Sequence, residues 1–591
     1  MNMTYSILFI FLALISNLSL TIQKVEESYS LNFNNANWSF DSTNRVYYQI
    51  GVVYITNPVN IEYQSLGIYV PSEYMICLEN SGKYKCSVYP SGKRGSYSSS
   101  NAPIVIPVET PGYAAMKAPT SYSYQTISNF ISRGIIYVFA GCRGRYEGSE
   151  SYIAGAPWGV TDLKSAIRFL RYNSNSLPGD LSKIYTFGMS GGGAQSCLMG
   201  ITGNSDLFND YLKKNGAALT DSDGKELKDN IKGSQCWCPI TNLDTADAAY
   251  EWNMGQYFTT KTRESGTFTK QVSNDLTNKF VEYVNDLKLK DPEGNELTLT
   301  DVNVGTYYNY LKKVIEESLN NFLSDTTFPY TPSGGDFPPG PPGPLQTRNL
   351  ATTYQTAQEY IDSLNSDKQW ITYNSETNKA TITNVEDFVT HCKSAGKDVG
   401  AFDDFSKKQA ENKLFGIDGT TYNKHFDEIL AKLLKDNEDT YKSLTNWDSS
   451  YPTEYTNDLD AVDSLGKTIK ERVNMYNPMY YINEYYKGYG TSTVADHFRI
   501  NTGIAQEDTG NVVEMNLYLA LLNYKKDVKF TTVWDQKHVK AERTGTAERN
   551  FISWVNNIEG ASDEDYDDNP QSFSNYINYN YLLFALLFLF I

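Results

Sequence analysis

The feature that most limits the fold of this chain is an alternation of strand and helix that stops and then resumes. Between about residues 100 and 240, "APIVIPVETPGY" and "GIIYVFAGCRGR" read as buried strands with polar ends. "GVTDLKSAIRFLRYN" then carries Val160, Leu163, Ile167 and Leu170 at helical spacing. "KIYTFGMS" and "SQCWCPIT" are further strands. The pattern returns near residue 494 with a strand in "HFRINTGIAQEDTG", a helix bearing Val513, Leu517 and Leu521, the strand "VKFTTVWDQKH", and a last helix with Phe551, Val555 and Ile558. Alternating β and α elements predict an α/β fold with a mostly parallel sheet covered on both faces. Residues 30 to 100, rich in Tyr, Val and Gly, read as antiparallel strands placed before it.

Between 243 and 480 the chain is more polar and more helical, as in "VIEESLNNFL", "HFDEILAKLLKDN" and "VEDFVTHCKSAGK". The Pro- and Gly-rich loop "TPSGGDFPPGPPGPLQ" interrupts it. An insertion this long between two sheet strands is most simply a second domain lying as a lid over the carboxyl ends of the strands. The expected organisation is therefore a core in two parts, 30–242 and 481–560, around an inserted lid, 243–480. Residues 1–20 and 561–591 lie outside it.

Those ends carry their own signals. "SILFIFLALISNLSLTIQ" has the short apolar run of a secretory signal peptide, with no Lys or Arg before it. The chain ends in eleven apolar residues, Tyr581 to Ile591, behind the acidic spacer "EGASDEDYDDNPQSFSNYINYN". A spanning helix needs about 20 residues. The arrangement reads as a GPI-attachment signal, with Ser572, Ser574 and Asn575 as attachment sites. A tail anchor or a packed final strand is the competing reading. A secreted or surface-anchored protein is the expectation, touching a membrane only through that lipid.

The formal net charge is −18 and no basic cluster is dense, which argues against a nucleic-acid partner. Of seven cysteines, Cys77 and Cys86 flank the hairpin-like "LENSGKYK" and suit a disulfide in an oxidising compartment. Cys236 and Cys238 alternate on a strand, and no cysteine spacing matches a zinc site. Asn37-Trp38-Ser39 is a glycosylation sequon.

Chemistry concentrates in "IYTFGMSGGGAQS". The β-branched and aromatic Ile184 to Phe187 form a strand, and Gly188-Met189-Ser190-Gly191-Gly192 fits G-x-S-x-G before a helix. Such a turn strains the serine and pushes its hydroxyl out. The bland alternative is a Gly-rich turn that only packs a helix on a sheet. A histidine and an acid decide between them. There are four histidines: His391 and His425 in the insertion, His497 opening a strand, and His538 after a strand and before the final helix. His538 stands where a general base belongs, with the order nucleophile, acid, histidine. Glu507 and Asp508 follow the preceding strand as acids. Oxyanion donors are expected from the N–H groups of Gly191 and, in "ETPGY", of Gly112, with Tyr113 next.

"GCRGR", "APWGVTDLKSAIRFLRYN", "GMSGGGAQSCLMGITGNS", "CPITNLDTADAAYEW" and "WDQKHVKAERTG" together resemble the bacterial (subtype B) tannase and feruloyl-esterase-like branch of the α/β-hydrolases, over roughly residues 60 to 560. The resemblance implies a secreted serine esterase of phenolic acid esters that needs no cofactor and no metal. In that branch a D-x-D segment supplies the triad acid and then a carboxylate for a galloyl hydroxyl. Here the segment reads Gln506-Glu507-Asp508, so the first Asp is replaced. The triad acid is accordingly assigned to Asp508, with Glu507 as runner-up. In "GKDVGAFDDFSKKQAENKLFG", Lys397 and Glu411 match the positions that reach the aryl hydroxyls. Two rival readings remain: a prolyl-oligopeptidase-like peptidase, for which no blade repeat is visible, and a non-catalytic surface protein of the same fold, which Gln506 favours.

Overall fold

The computed structural model describes residues 29–146, 154–332, 352–417 and 423–562. The expected signal peptide, the acidic spacer beyond residue 562, the apolar tail and nearly all of the Pro-rich loop lie outside these residues.

A nine-stranded sheet forms the centre. In chain order its strands are β1 (Ser39–Asp41), β2 (Val46–Val53), β3 (Ser65–Pro71), β4 (Ile104–Val108), β5 (Ile136–Ala140), β6 (Ile184–Met189), β7 (Gly233–Trp237), β8 (His497–Gly503) and β9 (Asp527–Val533). Their spatial order is β1-β2-β3-β5-β4-β6-β7-β8-β9. The first three strands and the β3–β5 pair are antiparallel. From β5 onward every pair is parallel. The continuous apolar runs of β4 and β6 fit this place, because every residue of β4 and all but Met189 of β6 are buried.

Helices α1 (Tyr124–Ile131), α2 (Trp158–Tyr172), α3 (Gly191–Ile201), α4 (Ala246–Asn253), α5 (Ala410–Leu414), α6 (Asn511–Asn523) and α7 (Ala547–Glu559) matter most for the site. Every residue of α3 is buried. It can lie that deep because its start is glycine: a Cβ on Gly192 would stand 2.2 Å from the Val108 carbonyl oxygen of β4.

Among the described residues, the stretch between β7 and β8 adds no strand to this sheet. It folds into helices and one two-stranded hairpin, Ile371–Asn374 with Lys379–Ile382. Helix starts obey local rules: Asn384 caps Val385–Cys392 and Asp427 caps Glu428–Asp436 through side-chain acceptors. Arg472, 1 % exposed, ties the inserted stretch to the core by donating to the carbonyls of Ala156, Phe415 and Gly416. Cys77 and Cys86 form the expected disulfide across the hairpin Met75–Asn80/Lys83–Val88. The five other cysteines are buried and form no disulfide. No helix among the described residues is long and apolar enough to cross a membrane.

Candidate active site

Ser190 sits between β6 and α3 with φ 60° and ψ −126°. A non-glycine residue held there stores roughly 1–3 kcal/mol, which the surrounding packing must offset. Its backbone is fixed on both sides: its N–H donates to Trp237 O at 3.0 Å, and its carbonyl accepts from Ala194 N at 2.9 Å. Neither bond uses the hydroxyl.

The expected oxyanion donors lie beside it, the Gly112 and Tyr113 nitrogens close to Gly191. Gly191 opens α3, where backbone N–H groups have no partner within the helix. The loop after β4 turns through Gly112 (φ 51°) and Tyr113 (φ 61°). Tyr113 N–H closes that turn on Thr110 O at 2.9 Å, so Gly112 N–H is the donor left for a ligand. The Gly112 carbonyl is held by Arg145 Nη1 at 2.6 Å. Thr110 Oγ1 donates to Gln195 Oε1 at 2.6 Å, which fastens the loop to α3.

His538 is presented by the loop after β9. A Cβ on Gly503, at the end of β8, would lie 2.0 Å from Lys537 O, so only glycine lets the two loops touch. Cys238 Sγ donates to Val539 O at 3.2 Å and Asn501 Nδ2 to Ala541 O at 3.0 Å, pinning the loop to the ends of β7 and β8. The Nδ1–H of His538 donates to Gln506 Oε1 at 2.8 Å. Its Nε2 is buried and carries no hydrogen bond. Burial pulls the imidazole below its ordinary pKa, the Asp508 charge pulls it back up, and Lys397 pushes it down.

This corrects the assignment of the acid. Asp508 was expected on Nδ1, but its Oδ2 lies 3.9 Å away and the side chain is 48 % exposed. Glu507 turns to Lys537, 3.8 Å away. The turn after β8 aims position 506 inward and 508 outward, so the residue that touches the imidazole is the uncharged Gln506. Behind it stands a carboxylate that sequence reasoning missed. Gln506 Nε2 donates to Thr502 Oγ1 at 2.7 Å and, through a short bond, to Glu514 Oε1 on α6. Glu514 is fully buried, and burial raises its carboxyl to about 8 against the opposing charge of Lys393. Lys393 comes from the inserted stretch, donates to Asn511 Oδ1 at 2.5 Å, and is lowered to about 8 by burial. A charged residue in the first turn of an apolar helix was the only sequence sign of Glu514.

The inserted stretch also brings Lys397 and Glu411 to this place. A Cβ on Gly112 would be 3.7 Å from Cβ of Ala410, so α5 packs on the oxyanion loop. Glu411 is 4 % exposed; burial raises its carboxyl, while Lys397 and Arg145 lower it and Asp508 raises it further. Lys397 Nζ stands 4.0 Å over the Phe402 ring, and its carbonyl accepts from Arg263 Nη1 at 2.8 Å. Lys397, Glu411, Asp508 and His538 thus share one electrostatic neighbourhood. The other histidines have local duties: His391 bonds Asp387 O, His425 bonds Asp403, and His497 pairs with Asp527.

Comparison with known proteins agrees with this architecture. The family model BD-FAE matches residues 94–273. The structure of a Fusobacterium nucleatum tannase superposes with a TM-score of 0.65 at 27 % identity, covering 90 % of this chain and 100 % of that one. The chain has an α/β-hydrolase fold similar to that of this tannase. A tannase from Lactobacillus plantarum gives 0.63 at 23 % identity over 90 % of this chain and 100 % of that one. A tannin acyl hydrolase solved with 3,4-dihydroxybenzoate gives 0.63 at 24 % over 89 % and 98 %. A search of curated proteins returns no match.

Proposed function

We propose that this chain is a serine carboxylic-ester hydrolase that acts on phenolic esters through an acyl-enzyme on Ser190. The observations that carry the reading are a strained serine at a strand-to-helix turn and, on a loop pinned to the ends of the neighbouring strands, a histidine whose Nδ1–H is engaged and whose Nε2 has no hydrogen-bond partner. In this reading Nε2 takes the Ser190 hydroxyl proton as Oγ attacks the ester carbonyl. The N–H groups of Gly191 and Gly112 receive the negative charge that develops on the carbonyl oxygen. Collapse expels the alcohol, which leaves with the proton from His538. A water then attacks the acyl carbonyl and gives a proton to Nε2; collapse breaks the acyl–Oγ bond, Ser190 Oγ takes that proton back, and the acid leaves. No electron transfer is involved. Lys397, Glu411 and Asp508 supply the polar groups for aryl hydroxyls, consistent with the 3,4-dihydroxybenzoate named for one relative.

The test is a panel of gallate, ferulate, acetate and p-nitrophenyl esters together with a fluorophosphonate label. Ser190→Ala is expected to abolish both turnover and labelling while leaving the melting temperature nearly unchanged. Hydrolysis within a few-fold of the wild type in that variant overturns the reading. Absence of labelling in the wild type favours the non-catalytic alternative, which the amide on His538 gives a physical basis.

Export is part of the same proposal. A disulfide at Cys77–Cys86 suits an oxidising compartment. Mature protein from a eukaryotic host is expected to lack residues 581–591 and to be released by phosphatidylinositol-specific phospholipase. An intact Ile591 terminus by mass spectrometry contradicts it.

A further inference from the structure

Taking Ser190 and His538 as nucleophile and base, we propose that Glu514 is a positioning residue that fixes the tautomer of His538 through the amide of Gln506. An amide is ambivalent: turned one way it accepts from Nδ1–H, turned the other it donates to Nδ1. The first orientation leaves the lone pair on Nε2, where the serine proton must go. The second puts the proton on Nε2 and removes the base. Nothing in Gln506 itself chooses between them.

Its surroundings choose. The far end of the amide faces Glu514 Oε1 and Thr502 Oγ1. Glu514 Oε1 receives hydrogen bonds from both Gln506 Nε2 and Thr502 Oγ1. With the carboxyl ionised, or with its proton on Oε2, the oxygen that has no hydrogen-bond partner, Oε1 is an acceptor toward Gln506. Flipping the amide would set its carbonyl oxygen against a carboxyl oxygen, two acceptors with no hydrogen between them. The flip is blocked, Oε1 stays on Nδ1–H, and Nε2 stays free. Lys393 adds a cation from the inserted stretch that favours the ionised carboxyl. A carboxylate touching the histidine directly would hold the tautomer without help. Here the carboxylate lies one residue further back and works through an amide.

The experiment is a double-mutant cycle at positions 506 and 514, read by kcat for the ester and by the nitrogen shifts of the His538 ring in NMR. Glu514→Leu frees the amide to flip. Inverting the tautomer of a triad histidine costs on the order of 10⁴ in turnover, so partial inversion is expected to lower kcat at least about tenfold with little change in KM, and to show a mixture of Nδ1–H and Nε2–H forms. In a Gln506→Glu background the sign reverses. A carboxylate at 506 needs no orienting, and removing Glu514 relieves a buried pair of like charges, so adding Glu514→Leu raises kcat. A residue that only packs α6 would lower kcat in both backgrounds. Equal losses in both, or an unchanged pure Nδ1–H form in Glu514→Leu, overturn the proposal. The ring-nitrogen shifts need no turnover, so this result is separate from the fate of the esterase reading, which rests on Ser190→Ala and labelling.

Discussion

Asp229 and Glu514 are both buried carboxyls, 1 % and 0 % exposed, and their surroundings drive them in opposite directions. Asp229 meets Lys164 Nζ at 2.8 Å and Arg168 Nη2 at 2.6 Å, and takes the Asn204 N–H at 2.8 Å. Burial opposes its ionisation, but the two cations overcome that and hold it at about 2. Glu514 has a neutral amide and a hydroxyl as its side-chain hydrogen-bond donors, no ion pair among the described residues, and one oxygen with no partner. Its carboxyl rises to about 8. The first arrangement is what a buried charge needs for stability. The second leaves a carboxyl poorly satisfied one residue behind the His538 imidazole, and perturbed groups of this kind collect at working sites.

The largest expected effect separates the two by stability. Asp229→Asn leaves Lys164 and Arg168 buried without their anion, and breaking such a pair costs about 3–5 kcal/mol. Glu514→Leu removes a carboxyl that is costly to bury, and Lys393, already lowered to about 8, can release its proton. Its loss is expected to stay within about 1 kcal/mol. Urea midpoints of the two variants check this. Equal losses would mean that Glu514 is as structural as Asp229.

A smaller effect sharpens the same contrast by pH. The folded pKa of Asp229 lies below its unfolded value of 3.8, so its contribution is present above about 4 and is lost as pH falls toward about 2. The gap between wild type and Asp229→Asn should close over that window. Glu514 behaves oppositely, because its folded pKa lies above its unfolded value of 4.5. Its contribution is present below about 4.5 and is lost as pH rises through about 8. The stability of Glu514→Leu relative to wild type should therefore improve across that range. A flat difference between pH 4.5 and 8 would show that the carboxyl is not perturbed.

The sheet, its N-terminal antiparallel strands and the helices after β6 and β8 were legible because apolar runs and helical spacing are local properties. The setting of Ser190 was legible for the same reason: a glycine-bounded serine follows an apolar strand run and precedes a helix. Choosing among Gln506, Glu507 and Asp508 was not, since it depends on which way a tight turn aims three consecutive side chains. Gln506 was set aside for lacking charge, yet it occupies the position facing the imidazole. Glu514 and Lys393 could not be found from sequence because the turn after β8 decides what faces α6, and Lys393 reaches it from the inserted stretch 121 residues earlier. Spacing along α6 shows only that one polar residue interrupts an apolar face.

The smallest expected effect falls on Asp508. Were it the partner of His538, Asp508→Asn would lose about a thousandfold in turnover or more. Its Oδ2 is 3.9 Å from Nδ1, the side chain is 48 % exposed, and Gln506 already holds the proton it would accept. A half-exposed charge at that distance is largely screened by water. The expected loss in kcat is therefore under about tenfold, with a larger rise in KM for esters bearing free aryl hydroxyls than for simple p-nitrophenyl acetate. The pH profile moves in a defined direction. Asp508 pulls the His538 pKa up, so removing its charge lowers it, and the rising limb of kcat/KM, which follows loss of the proton from the imidazole, shifts to lower pH. A thousandfold loss with the limb unmoved would mean that Asp508 displaces Gln506 from the imidazole once substrate binds. The carboxylate behind the amide would then serve the resting enzyme alone.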